Sequence, residues 1–130
     1  MKLKQLIPML KVSDIKASLD FYDKALGFKV VSEPKTIEEW RWASISSGET
    51  HLMLTESSST LKSQETPDSA ESDDWPCIYY FYPDNVEALY EHILDAGYSP
   101  TKLEVTFYGM KEFSIRDPNG HLLSFGEDTE

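Results

Sequence analysis

The chain has 130 residues, with 12 Lys and Arg against 23 Asp and Glu, for a formal net charge of −11. That length suits one domain with its own core. The negative surplus argues against nucleic acid, because a polyanion would be repelled and no counterions would be released. Acidic small molecules are disfavoured for the same reason.

A lone cysteine, Cys77, permits no internal disulfide and fits a reducing compartment. No apolar run approaches the roughly 18 residues of a membrane span. The stretch Leu6-Ile7-Pro8-Met9-Leu10 is interrupted by Lys11 too soon for a signal peptide. These features predict a soluble, cytoplasmic protein without nucleic-acid or membrane partners.

In chain order, Leu6–Val12 reads as a strand. Asp14 then caps a helix whose Ile15, Leu19, Tyr22 and Leu26 form one stripe, and Gly27 stops it. Phe28–Glu33 reads as a second strand, and Trp40–Ile45 with His51–Thr55 as a hairpin around Ser46-Ser-Gly-Glu49. Residues 56–74 are dominated by Ser, Thr, Glu, Asp and Pro, with Leu61 and Ala70 the only apolar side chains. That composition predicts a flexible connection. Six acids against Lys62 give it −5 of the chain's −11.

Beyond it, Cys77–Tyr82 reads as a strand and Asp84 as the cap of a helix, with Glu87 at capping-box spacing. Val86, Leu89, Ile93 and Ala96 form the stripe of that helix, and Gly97 ends it. Val105–Tyr108, Lys111–Arg116 and His121–Phe125 follow as strands, the last two joined by Asp117-Pro-Asn-Gly120.

The two halves repeat. Asp14 through Gly27 returns as Asn85 through Gly97, and Ile7 stands to Ile78 as Asp14 stands to Asn85, 71 positions on. The predicted architecture is therefore α+β, with two tandem βαβββ modules forming a curved mixed sheet around a concave groove. A single domain spans 1–130, with module 1 at about 1–55, the acidic linker at 56–74 and module 2 at about 75–130.

Paired modules of this kind, with Phe21-Tyr-Asp-Lys-Ala-Leu-Gly-Phe28 and Glu112-Phe-Ser-Ile-Arg-Asp-Pro-Asn-Gly120 in register, resemble the vicinal oxygen chelate superfamily. It includes glyoxalases, ring-cleaving dioxygenases and the fosfomycin- and bleomycin-resistance proteins. The resemblance places the metal ligands of its enzymes at Ile7, Met53, Ile78 and Ser124. Three of these offer no usable donor, and a serine hydroxyl is a poor ligand for a divalent ion. A displaced site using Gln5, His51 and an acid is the alternative, and it would make the chain a metal-dependent lyase or dioxygenase. His92 is expected on the solvated side of its helix, and His121 to bond nearby backbone. Cys77 is expected to be packed inside.

Gly109-Met-Lys-Glu-Phe113 before Arg116-Asp-Pro118, and Tyr79-Tyr-Phe-Tyr82 before the second helix, are most similar to the bleomycin-resistance branch. That similarity implies a metal-free, acidic homodimer, without cofactor, that sequesters a cationic aromatic-bearing compound at the subunit interface. Period-two alternation turns Phe113 and Ile115 toward the helix, and Ala43 and Ile45 with them. Trp40, Trp42, Met53, Tyr80, Tyr82, Glu112 and Arg116 are then the candidate ligand-binding residues, with Tyr108 and Trp75 expected at the rim or in loops. Flat rings attract planar guests, and their faces attract cations by about 0.5–2 kcal/mol per contact. Filling of the groove or of a dimer interface by the same rings is the competing expectation, as is an ion pair between Glu112 and Arg116. No catalytic constellation is evident, and a domain binding another protein through this face is a further alternative.

Overall fold

The computed structural model describes residues 1–57 and 77–129. Almost all of the predicted linker, and Trp75 with it, lies outside the described residues. Module 1 runs β1 (Met9–Val12), α1 (Ile15–Leu26), β2 (Lys29–Val30), α2 (Pro34–Glu38), β3 (Trp42–Ser47) and β4 (Thr50–Glu56). Module 2 runs β5 (Ile78–Phe81), α3 (Val86–Asp95), β6 (Glu104–Val105), β7 (Met110–Arg116) and β8 (Leu122–Asp128). Each forms a four-stranded mixed sheet, in the orders β1-β4-β3-β2 and β5-β8-β7-β6. The first strand of each module lies parallel to the last, which is antiparallel to the strand before it. Among the described residues no helix is long and apolar enough to cross a membrane.

The repeat extends to the helix caps. Asp14 accepts from the Ala17 amide at 3.1 Å, and Asn85 accepts from the Ala88 amide at 2.9 Å. Asn85, not the predicted Asp84, therefore caps α3, in the extended conformation an N-cap requires. A second acid serves each helix start: the Ile15 amide donates to Glu56 and the Val86 amide to Glu127, at 3.0 and 2.8 Å. Glu56 thus belongs to module 1 and not to the linker. Gly27 ends α1 with φ of 77°, a left-handed conformation in which a glycine carries no side-chain penalty.

The core forms where the helices lie on the sheets and on each other. Leu10, Val12, Ala43, Ile45, Leu52 and Leu54 are buried beneath α1, with Phe113, Ile115, Leu123 and Phe125 beneath α3. Burial of each large side chain contributes about 1.5–3 kcal/mol. The modules meet across α1 and α3: Phe21 stands edge-on to Tyr98 at 5.3 Å, Phe28 edge-on to Phe81 at 6.3 Å, and the Tyr22 hydroxyl donates to Asp117 at 2.7 Å.

Local expectations fail at Trp40 and at Cys77. The predicted strand from Trp40 begins at Trp42, because α2 starts with Pro34 at its first turn and Arg41 takes a left-handed φ of 53° that breaks the pleat. Trp40 is therefore off the sheet, with the Lys35 ammonium 5.7 Å from its ring. Cys77 precedes β5 and is exposed, not packed. His121 bonds the carbonyl of Lys11 in the other module at 2.8 Å, and His92, though on the exposed side of α3, bonds that of Lys24 at 2.9 Å.

Candidate functional site

Among the described residues, alternation leaves one face of each sheet uncovered by helices. On module 1 this face carries Met9, Trp42, Ser44 and Met53: Met53 pairs with both Met9 and Ser44, and Trp42 with Thr55. On module 2 it carries Ile78, Tyr80, Glu112, Ser114 and Ser124. Met9 and Ile78 are 54% and 47% exposed, which is unusual for apolar side chains on a sheet.

Module 2 gathers its polar and aromatic groups around Glu112. The Tyr80 hydroxyl donates to Glu112 Oε2 at 2.7 Å, and the Tyr108 hydroxyl reaches both carboxylate oxygens at 2.9 and 3.0 Å. Tyr80 starts on β5, and its partner lies two strands away on β7, so the ring must cross β8. It does so over Gly126, which pairs with Glu112; a Cβ built there would lie 1.8 Å from the Tyr80 hydroxyl oxygen and 2.7 Å from Cζ. A glycine in a strand interior often marks such a close approach. Tyr82 stands beside Tyr80, with centroids 5.2 Å apart and planes at 65°.

Burial first, then the bond to Glu112 and its charge, push the Tyr80 phenol well above its ordinary value. The bond to Glu112 is the chief cause of the same upward shift in Tyr108. Both phenols thus act as hydroxyl donors to one carboxylate.

Of the predicted site residues, Tyr80, Tyr82 and Glu112 come together, while Trp42 and Met53 share the equivalent face of module 1. Trp40 belongs to neither face. Arg116 is exposed, and its guanidinium donates to the Gly120 carbonyl at 2.7 Å, so the partners of Glu112 are tyrosines. Sequence reasoning left Tyr108 at the rim and missed Gly126. The four-residue spacing of Tyr108 and Glu112 across Gly109, and a glycine within the last strand, were the available signals.

A metal of the kind the superfamily's enzymes use does not fit these residues. Ile7 and Ile78 carry only hydrocarbon, Met53 a thioether, and the Ser124 hydroxyl is already bonded to that of Ser114 at 2.8 Å. His51 is exposed and pairs with Ser46. Among the described residues no three His, Cys, Asp or Glu side chains converge as a metal-binding group.

Two βαβββ modules joined through their helices, each leaving a sheet face open, define a paired-module α+β protein. The model of the Glyoxalase/Bleomycin resistance protein/Dioxygenase superfamily matches residues 5–125, and the chain belongs to that family. A bleomycin resistance protein of Geobacillus stearothermophilus is 28% identical over 129 residues, covering 93% of this chain and 94% of its own length. One from Staphylococcus aureus matches to the same extent. Among solved structures, TioX from Micromonospora sp. ML1 has a TM-score of 0.74 at 17% identity, over 96% of this chain and 98% of its own. TnmS3, an antibiotic binding protein from Streptomyces sp. CB03234, has a TM-score of 0.69 at 16% identity, over 98% and 99%. These two likenesses are of fold.

Proposed function

We propose that the chain is a small-molecule binding protein that uses the open sheet faces to hold a planar or cationic aromatic compound without a metal and without turnover. The Glu112 cluster carries this reading. A carboxylate accepts there from two phenols, while Tyr80 and Tyr82 form an aromatic corner beside it. A cation on a flat ring system gains Coulombic attraction from the first and ring-face attraction from the second. Trp42, on the corresponding face of module 1, adds a stacking surface. The relationship to bleomycin resistance proteins over nearly the full chain, and the fold shared with an antibiotic binding protein, support the same class of activity.

A two-fold homodimer completes the reading. Met9, Ile78 and Tyr80 are exposed on the open faces, and a symmetry mate would cover them and enclose the acidic groove. The cytoplasm is the setting we assign to it.

The test is calorimetric titration with proflavine, a tricyclic cation, and anthracene-9-carboxylate, an anion of similar size. Tighter binding of proflavine, with the difference shrinking at high salt, supports the proposal. Preference for the anion overturns it.

A further inference from the structure

A second concave region lies between the modules, at the tip of the β3–β4 hairpin and the start of α3. This cleft measures about 800 Å³, within the range of cavities that hold drug-sized molecules. Its floor is aromatic and comes from both modules: Phe28 follows α1, while Phe81 and Phe125 belong to β5 and β8. Phe81 stacks on Phe125 at 5.1 Å and meets Phe28 edge-on; Phe28 and Phe125 are nearly buried and turn only ring edges to the cleft, so the floor is fixed, with Phe81 its more accessible ring. Both Phe81 and Phe125 lie on the helix side of their sheet, opposite Tyr80 and Glu112.

Among the described residues the rim has one sign of charge: Glu49, at the hairpin turn, and Asp84, just before α3, both border the cleft, and no described Lys, Arg or His does. Among the described residues neither carboxylate has a hydrogen-bond or ion-pair partner, and Asp84 is spared capping duty because Asn85 performs it. In a chain of net charge −11, two unpartnered acids over an apolar floor concentrate negative potential in a place where a cation's hydrocarbon portion can be desolvated.

We infer that this inter-module cleft is a separate small-molecule site for a cationic amphiphile, an alkylammonium group joined to an aromatic or aliphatic body. The body lies against Phe28, Phe81 and Phe125, and the ammonium group faces Glu49 and Asp84. An anion of the same shape meets two like charges and is rejected. The inference does not depend on the function proposed for the open faces, although Tyr82 borders both regions.

The probes are 4-phenylbutyltrimethylammonium and 4-phenylbutyrate, added to the ¹⁵N-labelled full chain and followed by amide chemical shifts. The cation should shift the amides of Gly48, Glu49, Ala88 and Leu89 most, and bind about tenfold or more tighter than the anion. Ala88→Trp, which places a large side chain in the cleft from an exposed helix position, should abolish these shifts. Glu49→Gln combined with Asp84→Asn alters only exposed carboxylates and should weaken the cation about fivefold without changing the thermal transition. Shifts confined to Tyr80, Glu112 and their neighbours, equal affinity for both probes, or unchanged affinity in the double variant would each overturn the cleft as a site. The first of those results would leave the open-face reading standing.

Discussion

The Tyr22 hydroxyl donates to Asp117 Oδ2 at 2.7 Å in the buried centre of the molecule, joining α1 of module 1 to the turn before β8 of module 2. The other oxygen of Asp117 accepts from the amides of Asn119 and His121, at 2.8 and 2.9 Å. One carboxylate therefore shapes its own turn and receives the other module. Tyr22→Phe leaves the buried Oδ2 without its donor and should cost about 1–3 kcal/mol. Asp117→Ala should cost more, since it also releases the turn. Urea denaturation measures both; a Tyr22→Phe variant as stable as the parent would show that the bond does not secure the modules.

The same pair dictates behaviour in alkali. Burial, followed by the charge and hydrogen bond of Asp117, raises the Tyr22 phenol far above its ordinary value near 10. Its folded pKa exceeds its unfolded one, so its contribution is fully present below about pH 10 and is lost as pH rises, because only the unfolded phenol then ionises. Tyr22 alone should lower stability by about 1.4 kcal/mol per pH unit above pH 10. Tyr22→Phe should make that part of the profile shallower, as read by denaturation midpoints between pH 9 and 11.

Much of the architecture was legible because duplication doubles every signal. Asp14 and Asn85 both precede an apolar stripe that ends at a glycine, and the alternation of Ala43, Ile45, Phe113 and Ile115 identified the helix-facing sides of both sheets. The same logic, carried further, would have paired Glu56 with Glu127, but Glu56 begins an acidic run and was assigned to it by composition. Trp40 was misplaced because the left-handed turn at Arg41 has no glycine to announce it. The Tyr80–Glu112 contact crosses an intervening strand diagonally, and period two specifies a face without specifying which side chains on it touch.

The paired acids at the helix starts lead to a third prediction. Glu56 and Glu127 each accept from the first amide of a helix, where a negative charge is also favoured by the helix dipole. Either one replaced by Ala should destabilise the protein by about 0.5–2 kcal/mol. The two have no common partner, so the double variant should show the sum to within about 0.5 kcal/mol. A clear excess over the sum in urea denaturation would mean that the helix starts are coupled through the inter-module contact.

Gly126 offers a way to move Tyr80 without touching it. A methyl group at that position would lie far inside contact distance of the Tyr80 hydroxyl and ring. Gly126→Ala should therefore swing the ring off β8 and break its bond to Glu112, since a flexible side chain moves more readily than a strand. Ultraviolet titration should then find one phenol shifted down toward its ordinary value near 10, whereas Glu112→Gln, which removes the charge next to both Tyr80 and Tyr108, should shift two. An unaltered titration in both would separate the raised phenol from this contact.

The last prediction distinguishes the two tryptophans on either side of Arg41. Trp42 lies on the open face of module 1 beside the strand that carries Met53, whereas Trp40 stands off the sheet with Lys35 over its ring. If the open faces bind the guest, Trp42→Ala should weaken proflavine at every ionic strength, by about the 0.5–2 kcal/mol of a lost ring-face contact. Trp40→Ala should leave affinity unchanged. Glu112→Gln should act differently again, flattening the salt dependence while preserving much of the stacking, because it removes a charge and no ring. Calorimetry of the three variants at low and high salt reads these effects separately. A loss of affinity in Trp40→Ala equal to that in Trp42→Ala would move the site off the open sheet face, toward α2 and the turn that ends in Arg41.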